Sequence, residues 1–558
     1  MKREQRPGKA RRRDQRTRQS HSATEAARKS PIRLIAAAAL VVLTLVAYGP
    51  ALRGDFVWDD NDYVSNNPTL QSAEGLRAIW FDPTATPQYY PLVHSSYWLE
   101  YHLWGLDPLG YHLINVALHL ISVFLLWRIL SFLDVRGAAW IAAIFALHPV
   151  QVESVAWITE RKNVLSGVFY LSAMLIYLTL ALEPDSRPAA RQWWWKYGTV
   201  CSLFLLALAS KTVTATLPAA LLLLIAWKRG GVRSADVWPL LPLAIVGVAG
   251  GMVTVWLERH HVGAQGIDWQ LSPMQRVVIA GRALWFYAAK LAWPSGLSFI
   301  YPRWRIDPTD PWQLVYPTGV AAAIASLWFA RRRIGTGPLV AVLLFAGTLF
   351  PALGFFDTFP MRYSFVADHF QYLASIALIA LTAGGVSFLI REWPPARLRL
   401  ASVGAVAVVL VLAVLTWRQS HAYRNHEALW EDTIQKDPAS WMGHTSLGAL
   451  LGQRGAVAEA ENHYREAVRL NPDFAIARAN LAGLLANQGR FGEAITHYRE
   501  AVRLDPNSVD AHVSLARALL LTGQPQEAAK WSRVVVERWP TDTRGPLLLD
   551  AAVAAERR

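Results

Sequence analysis

The 558-residue chain has a single cysteine, Cys201, which excludes an internal disulfide; set inside an apolar block, it reads as packing. Charge is scarce as well, with Asp, Glu, Lys and Arg making up 17% of residues against 53% hydrophobic ones. The apolar residues fall in blocks of about 15 to 22 separated by short polar joints, which is the pattern of a polytopic membrane protein. Also missing are the alternating strand and helix units of a nucleotide-binding sheet. The paired interrupted helices of a transporter are missing too, which argues against a lipid or solute carrier.

What is abundant fits the same class. Many of the 25 tryptophans stand near block ends, among them Trp58, Trp80, Trp193 to Trp195, Trp227, Trp238, Trp293 and Trp417, where an amphipathic ring suits the bilayer interface. The net charge is +14, yet residues 1–33 alone hold twelve Lys or Arg against three acids. A basic, disordered cytoplasmic tail (1–31) before a first apolar helix is a topology signal, and nothing else in the chain suits a nucleic-acid partner. The segment Ile32 to Ala51 has no small-residue cleavage site after it and reads as an uncleaved anchor.

Apolar segments lie near 33–52, 111–133, 138–157, 163–182, 194–210, 213–228, 238–256, 277–294, 313–330, 338–356, 369–390 and 399–417. Counting 277–294 as a full span would put Arg331 to Arg333 outside, and Arg282 and Lys290 suit an interfacial segment better than a lipid-facing one. Eleven spans are therefore expected in a transmembrane domain over 32–418, with the N-terminus inside and the C-terminus outside. That topology gathers the loop 53–110, the joint 150–162, Lys211 and the joint 357–369 on the outer face.

Beyond residue 420 the chain turns polar and Ala-rich with a 34-residue period. Pro472, Pro506 and Pro540 mark it, as do Leu447, Leu481 and Leu515, and Ala460, Ala494 and Ala528. This is similar to the tetratricopeptide repeat, in which small residues let paired helices approach and the proline closes each unit. Three repeats are assigned to 441–542, a connecting half-repeat with Leu429, Trp430 and Thr433 to 419–440, and a capping helix or tail to 543–558.

The outer-face residues carry the chemistry. Four carboxylates stand within Asp55 to Asp62, directly after the first apolar segment. Adjacent Asp59 and Asp60 project in different directions, so one can act as a base while the other orients substrate or a cation; the alternative is a solvated acidic loop. Asp60-Asn61-Asp62 also matches a short acidic pattern used with metals. A divalent cation, Mg or Mn, is left open, with Asp60 its ligand if one is used. Next come His148-Pro149, which break an apolar run, then Glu153, Glu160, Arg161, Lys162 and Asn163, where Arg161 or Lys162 is a candidate for phosphate. Lys211 sits at an outer helix end against the positive-inside tendency. Asp368, His369 and Tyr372 open a late span, and His112 and His119 share one helical face with Asn115 as interhelical hydrogen-bond partners.

Together the segments Phe56 to Asp60, Gly110 to Asn115, His148 to Trp157, Ser210 to Thr212, Lys290 to Pro294 and Val366 to Tyr372 resemble the transmembrane and tetratricopeptide-repeat-containing proteins. These belong to the wider GT-C glycosyltransferases, alongside the protein O-mannosyltransferases. The resemblance covers about residues 33 to 550. It implies an all-α chain, a GT-C-like helical bundle followed by an α-solenoid. It further implies transfer of a sugar from a polyprenyl-phosphate carrier to a hydroxyl of an acceptor, protein Ser or Thr, at the extracytoplasmic face. Asp59 and Asp60 take the catalytic role by this resemblance. Two departures stand out: Glu160-Arg161-Lys162 replaces the family's Gly-Arg-Ala, and Asp368-His369 replaces an acid followed by Arg.

The reading is thus an inverting membrane glycosyltransferase with Asp59 and Asp60 catalytic. Arg161, Lys211, Arg282 and Lys290 are expected to bind donor phosphate, with His148, Glu153, Asp368, His369 and Tyr372 in support. Its partners are the lipid-linked donor, membrane lipid and a protein held by the repeats. High Ala and Arg usage points to a bacterial inner membrane with site and repeats on the periplasmic side. The competing reading is a non-catalytic membrane scaffold that uses the repeats to assemble partners.

Overall fold

The computed structural model describes residues 34–182 and 190–557, so the basic tail lies outside the described residues. Every regular element among them is helical. Local sequence sets many of the ends. Asp107 accepts from Leu109 N to cap the helix Pro108–Phe132, and Ser272 and Gln275 form a capping box at the start of Pro273–Ala292. Proline at the first helical position opens both, where its missing N–H costs nothing.

Among the described residues five helices are long and apolar enough to cross a membrane: Pro108–Phe132, Ile158–Leu182, Thr212–Arg229, Ser234–Val262 and Pro395–Tyr423. A sixth is the pair Ala138–Leu147 and Pro149–Ala156, bent by 55°. The bend falls where expected: Pro149 disfavours helical backbone at the residue before it, and His148 is extended with ψ 127°.

Among the described residues, five or six spans qualify by length and composition, in place of the eleven expected. An apolar run does not reveal where its backbone breaks. Segment 33–52 divides into Leu34–Ala47 and Gly49–Leu52, 338–356 yields Gly337–Ala352, and 369–390 gives its first residues to a 3-10 turn before Ser375–Leu389. Segment 194–210 lies in Ala190–Ser210, which opens on Arg191 and Lys196, and 313–330 in Val315–Ile334, which ends on three arginines. Segment 277–294 lies in Pro273–Ala292, which carries Arg276, Arg282 and Lys290 and does not qualify either.

The bundle core joins Pro108–Phe132, Arg161–Leu182 and the helices beside them through Val123, Leu126, Phe145, Ala173 and Leu178. At its end the chain stacks helix pairs: Trp441–Gln453 with Val457–Leu470, Ala475–Asn487 with Phe491–Leu504, and Val509–Leu521 with Pro525–Arg538. The helix Arg544–Glu556 packs on the last of these. Ala460, Ala494 and Ala528 are fully buried where paired helices approach. The turn within each pair uses Gly455, Gly489 and Gly523, all left-handed with φ 79°, 76° and 72°. Their spacing follows the same period, because only glycine takes that conformation without strain.

Pro273–Ala292 meets Val315–Ile334 at Gly281, where an added Cβ would lie 2.5 Å from Pro317 N. Gly281→Val should destabilise the fold by about 1–3 kcal/mol, seen as a lower melting temperature of the full chain in detergent.

Candidate active site

The segment after the first apolar helix turns sharply at Trp58, a non-glycine residue with φ 52°. A bulky side chain in the left-handed region costs of order 1–3 kcal/mol and is held only by its surroundings. Asp60 supplies part of that hold. Its Oδ2 accepts from Val57 N at 2.8 Å, and its Oδ1 accepts from Thr159 N at 2.7 Å and from the Thr159 hydroxyl. Asp60 is fully buried, bolting the loop to the start of the helix Arg161–Leu182.

Asp59 takes the other direction and lines a cavity of about 580 Å³. Its Oδ1 is buried with no hydrogen-bond partner. Burial pushes its carboxyl up to about 8, opposed by Lys162 and reinforced by the charges of Asp60 and Glu160. Burial raises Asp60 to about 7, the hydrogen bonds from Thr159 and Val57 working against it. Asp55 is an exposed loop residue, whereas Asp62 is exposed in the helical turn Asn61–Ser65 and also lines the cavity.

Opposite Asp59 stands a buried charge cluster centred on Glu160. Its carboxylate lies 3.0 Å from Lys162 Nζ, 3.2 Å from Lys211 Nζ and 3.7 Å from His369 Nε2. Glu153 accepts from His369 N at 2.9 Å and lies 3.1 Å from its Nδ1. Lys162, Glu153, Glu160 and His369 line the cavity, and Lys162 Nζ is 5.5 Å from the Tyr63 ring centre. Burial pushes Lys211 down to about 8 against its Glu160 partner. A chain of hydrogen bonds runs along the rim: Tyr63 Oη donates to Gln88, Gln88 to Glu258, and Phe359 N to Glu258.

Several expected site residues are placed elsewhere. Arg161 turns away from the cavity, its guanidinium held by Glu100, Asn115 and the carbonyl of Tyr111, so its donors are spent inside the fold. The basic residue facing the cavity is its neighbour Lys162, because consecutive helical residues point about 100° apart. Arg282 stacks over Trp304 at 4.3 Å and Lys290 donates to the carbonyls of Ser295 and Gly296; neither lines the cavity. His148 is tied to Leu291 O at 3.0 Å and Tyr372 Oη meets His119 Nδ1 at 2.9 Å, both in the core. His119 also reaches Ala146 O, whereas neither ring nitrogen of His112 has a hydrogen-bond partner. Asp368 sits behind the wall on Tyr301 Oη at 3.0 Å, its carboxyl pushed well up by burial and by Glu153. Among the described residues no group of three His, Cys, Asp or Glu side chains is arranged to hold a metal, and Asp60 has no open face for one.

The fold is that of a helical, membrane-associated chain carrying a tetratricopeptide solenoid, and a tetratricopeptide repeat model matches residues 445–509 and 485–543. The homologues of the chain are protein O-mannosyl-transferases of the TMTC type, as the motif resemblance implied. It is 26% identical to protein O-mannosyl-transferase F38B6.6 of Caenorhabditis elegans over 78% of this chain and 62% of the relative. With human protein O-mannosyl-transferase TMTC4 it shares 25% over 76% and 64%. A shorter match to mouse TMTC1 reaches 36% over 25% of this chain and 16% of the relative. The chain thus spans less than two thirds of the length of these relatives. Among solved structures it is similar to the MamA protein, with 19% identity, a TM-score of 0.21 and coverage of 23% of this chain and 76% of that one.

The contrast between the two aspartates is measurable without an assay. Asp60→Asn should lower stability by about 1–3 kcal/mol, since an amide cannot accept all three donors. Asp59→Asn, which loses no hydrogen bond at Oδ1, should melt at or above the wild-type temperature.

Proposed function

We propose that the chain is an inverting GT-C-type glycosyltransferase that moves a sugar from a polyprenyl-phosphate donor to a hydroxyl of a protein Ser or Thr. The observation that carries this is Asp59, whose Oδ1 has no hydrogen-bond partner and which lines a cavity together with Lys162 and Glu160, Lys211 standing behind Glu160. An acceptor hydroxyl gives its proton to Asp59 as its oxygen bonds to the anomeric carbon. The bond from that carbon to the phosphate oxygen breaks, and the phosphate leaves with the electron pair. Lys162, with Lys211 behind Glu160, offsets the charge that develops there. The apolar helices suit the donor's lipid tail, and the names of the relatives favour a mannosyl group and a protein acceptor.

The chain is read as a multi-pass protein of a bacterial inner membrane, with cavity and repeats on the periplasmic side. The packing of the helix His426–Lys436 against the 54–58 segment supports one side for both.

Purified full-length protein, labelled polyprenyl-phosphate sugars and a Ser/Thr peptide test the reading. Asp59→Asn should lower transfer by about 100-fold or more, and full transfer by that variant would sink it. Because the base works ionised and its carboxyl is pushed up to about 8, turnover should climb with pH until about 8 and then level. Lys162→Met should lower transfer while Arg161→Met should instead damage folding, which a melting curve separates from catalysis.

A further inference from the structure

We infer that His426, the first residue of the helix joining the membrane bundle to the repeats, is a positioning residue for Asp59. The inference rests on the reading of Asp59 as the base. The backbone N–H of Trp58 donates to His426 Nε2 at 2.8 Å. Nε2 therefore carries no proton and the neutral ring holds its hydrogen on Nδ1. Trp58 is the residue with φ 52°, and the peptide it shares with Asp59 sets where that side chain points.

The contact is one of three between the same two segments. Asp55 N donates to Arg424 O at 2.8 Å, where Gly54 approaches so closely that an added Cβ would lie 3.0 Å from that oxygen. The Trp58 ring meets the buried Trp430 ring edge-on with centres 5.0 Å apart. His426 is itself fixed by its helix start, because Asn425 caps the helix by accepting from Ala428 N at 2.9 Å. Asp60 and Thr159 thus hold the loop from the membrane side, and His426 holds it from the repeat side. The Trp58–Asp59 turn, which an unsupported chain would not adopt, is fixed between them.

A packing role alone would tolerate a ring of similar size, whereas a positioning role needs an acceptor at Nε2. In full-length protein, His426→Phe removes the acceptor and keeps the ring, while His426→Gln offers an amide oxygen near the same point. Two readouts apply: amide hydrogen exchange over residues 54–62, and transfer kinetics with labelled polyprenyl-phosphate sugar. His426→Phe should exchange faster across that segment and lose about 100-fold in kcat with little change in the donor KM. His426→Gln should recover protection and most of kcat. Unchanged exchange in His426→Phe, wild-type kcat in that variant, or equal losses in both variants overturns the inference. Asp59→Asn measured alongside judges the base separately: full turnover there removes Asp59 from catalysis, while the exchange data still judge the hold on the turn.

Discussion

The carboxylate of Asp60, accepting from Val57 and twice from Thr159, is the constraint on which the site depends. It joins a loop that has just left one apolar helix to the first turn of another, nearly a hundred residues later. Burying a charge is costly, and the three donors offset that cost only in this one arrangement. Once Asp60 is fixed, its neighbour has little freedom. Asp59 must face the other way, into the cavity, and it does so without a partner for Oδ1. A pair of identical residues is thereby divided into one that holds the fold and one that faces the cavity.

The opposite wall follows a similar logic with opposite sign. Glu160 lies between Lys162, Lys211 and His369, so a single carboxylate keeps two ammonium groups in a buried place. The helix break at His148-Pro149 contributes by making room: the chain bends by 55°, and Glu153 faces His369 from just beyond the bend. Arg161 sits in the middle of this charged run and yet belongs to the scaffold, since Glu100 reaches it from another helix.

The repeats are more than an appendage to this arrangement. The helix His426–Lys436 packs Trp430 on Trp58 and Phe299, while Tyr363 of the cavity rim packs on Trp441 of the first repeat helix. Trp441 in turn meets Phe474 at 4.4 Å. Trp430, Phe299 and Phe474 belong to one hydrophobic cluster, with Trp58, Tyr363 and Trp441 packed against it, so the first repeat helices and the cavity wall share packing.

Patterns local in sequence were legible without coordinates. The 34-residue period, the helical class, the break at His148-Pro149 and the concentration of acids after the first apolar segment all follow from spacing and residue type. The number of helices able to cross a membrane was not, because hydropathy runs continue through kinks and 3-10 turns that only backbone geometry reveals. Nor was the division of labour between Asp59 and Asp60, or between Arg161 and Lys162. In each pair the residues are adjacent and chemically alike, and what separates them is a distant partner: Thr159 for Asp60, Glu100 for Arg161. His426 belongs to the same group, an unremarkable histidine at a helix start until the fold sets it against Trp58 N. Sequence by itself determined which kinds of side chain collect on one part of the chain; tertiary structure decided which of them are spent on holding the fold and which face the cavity.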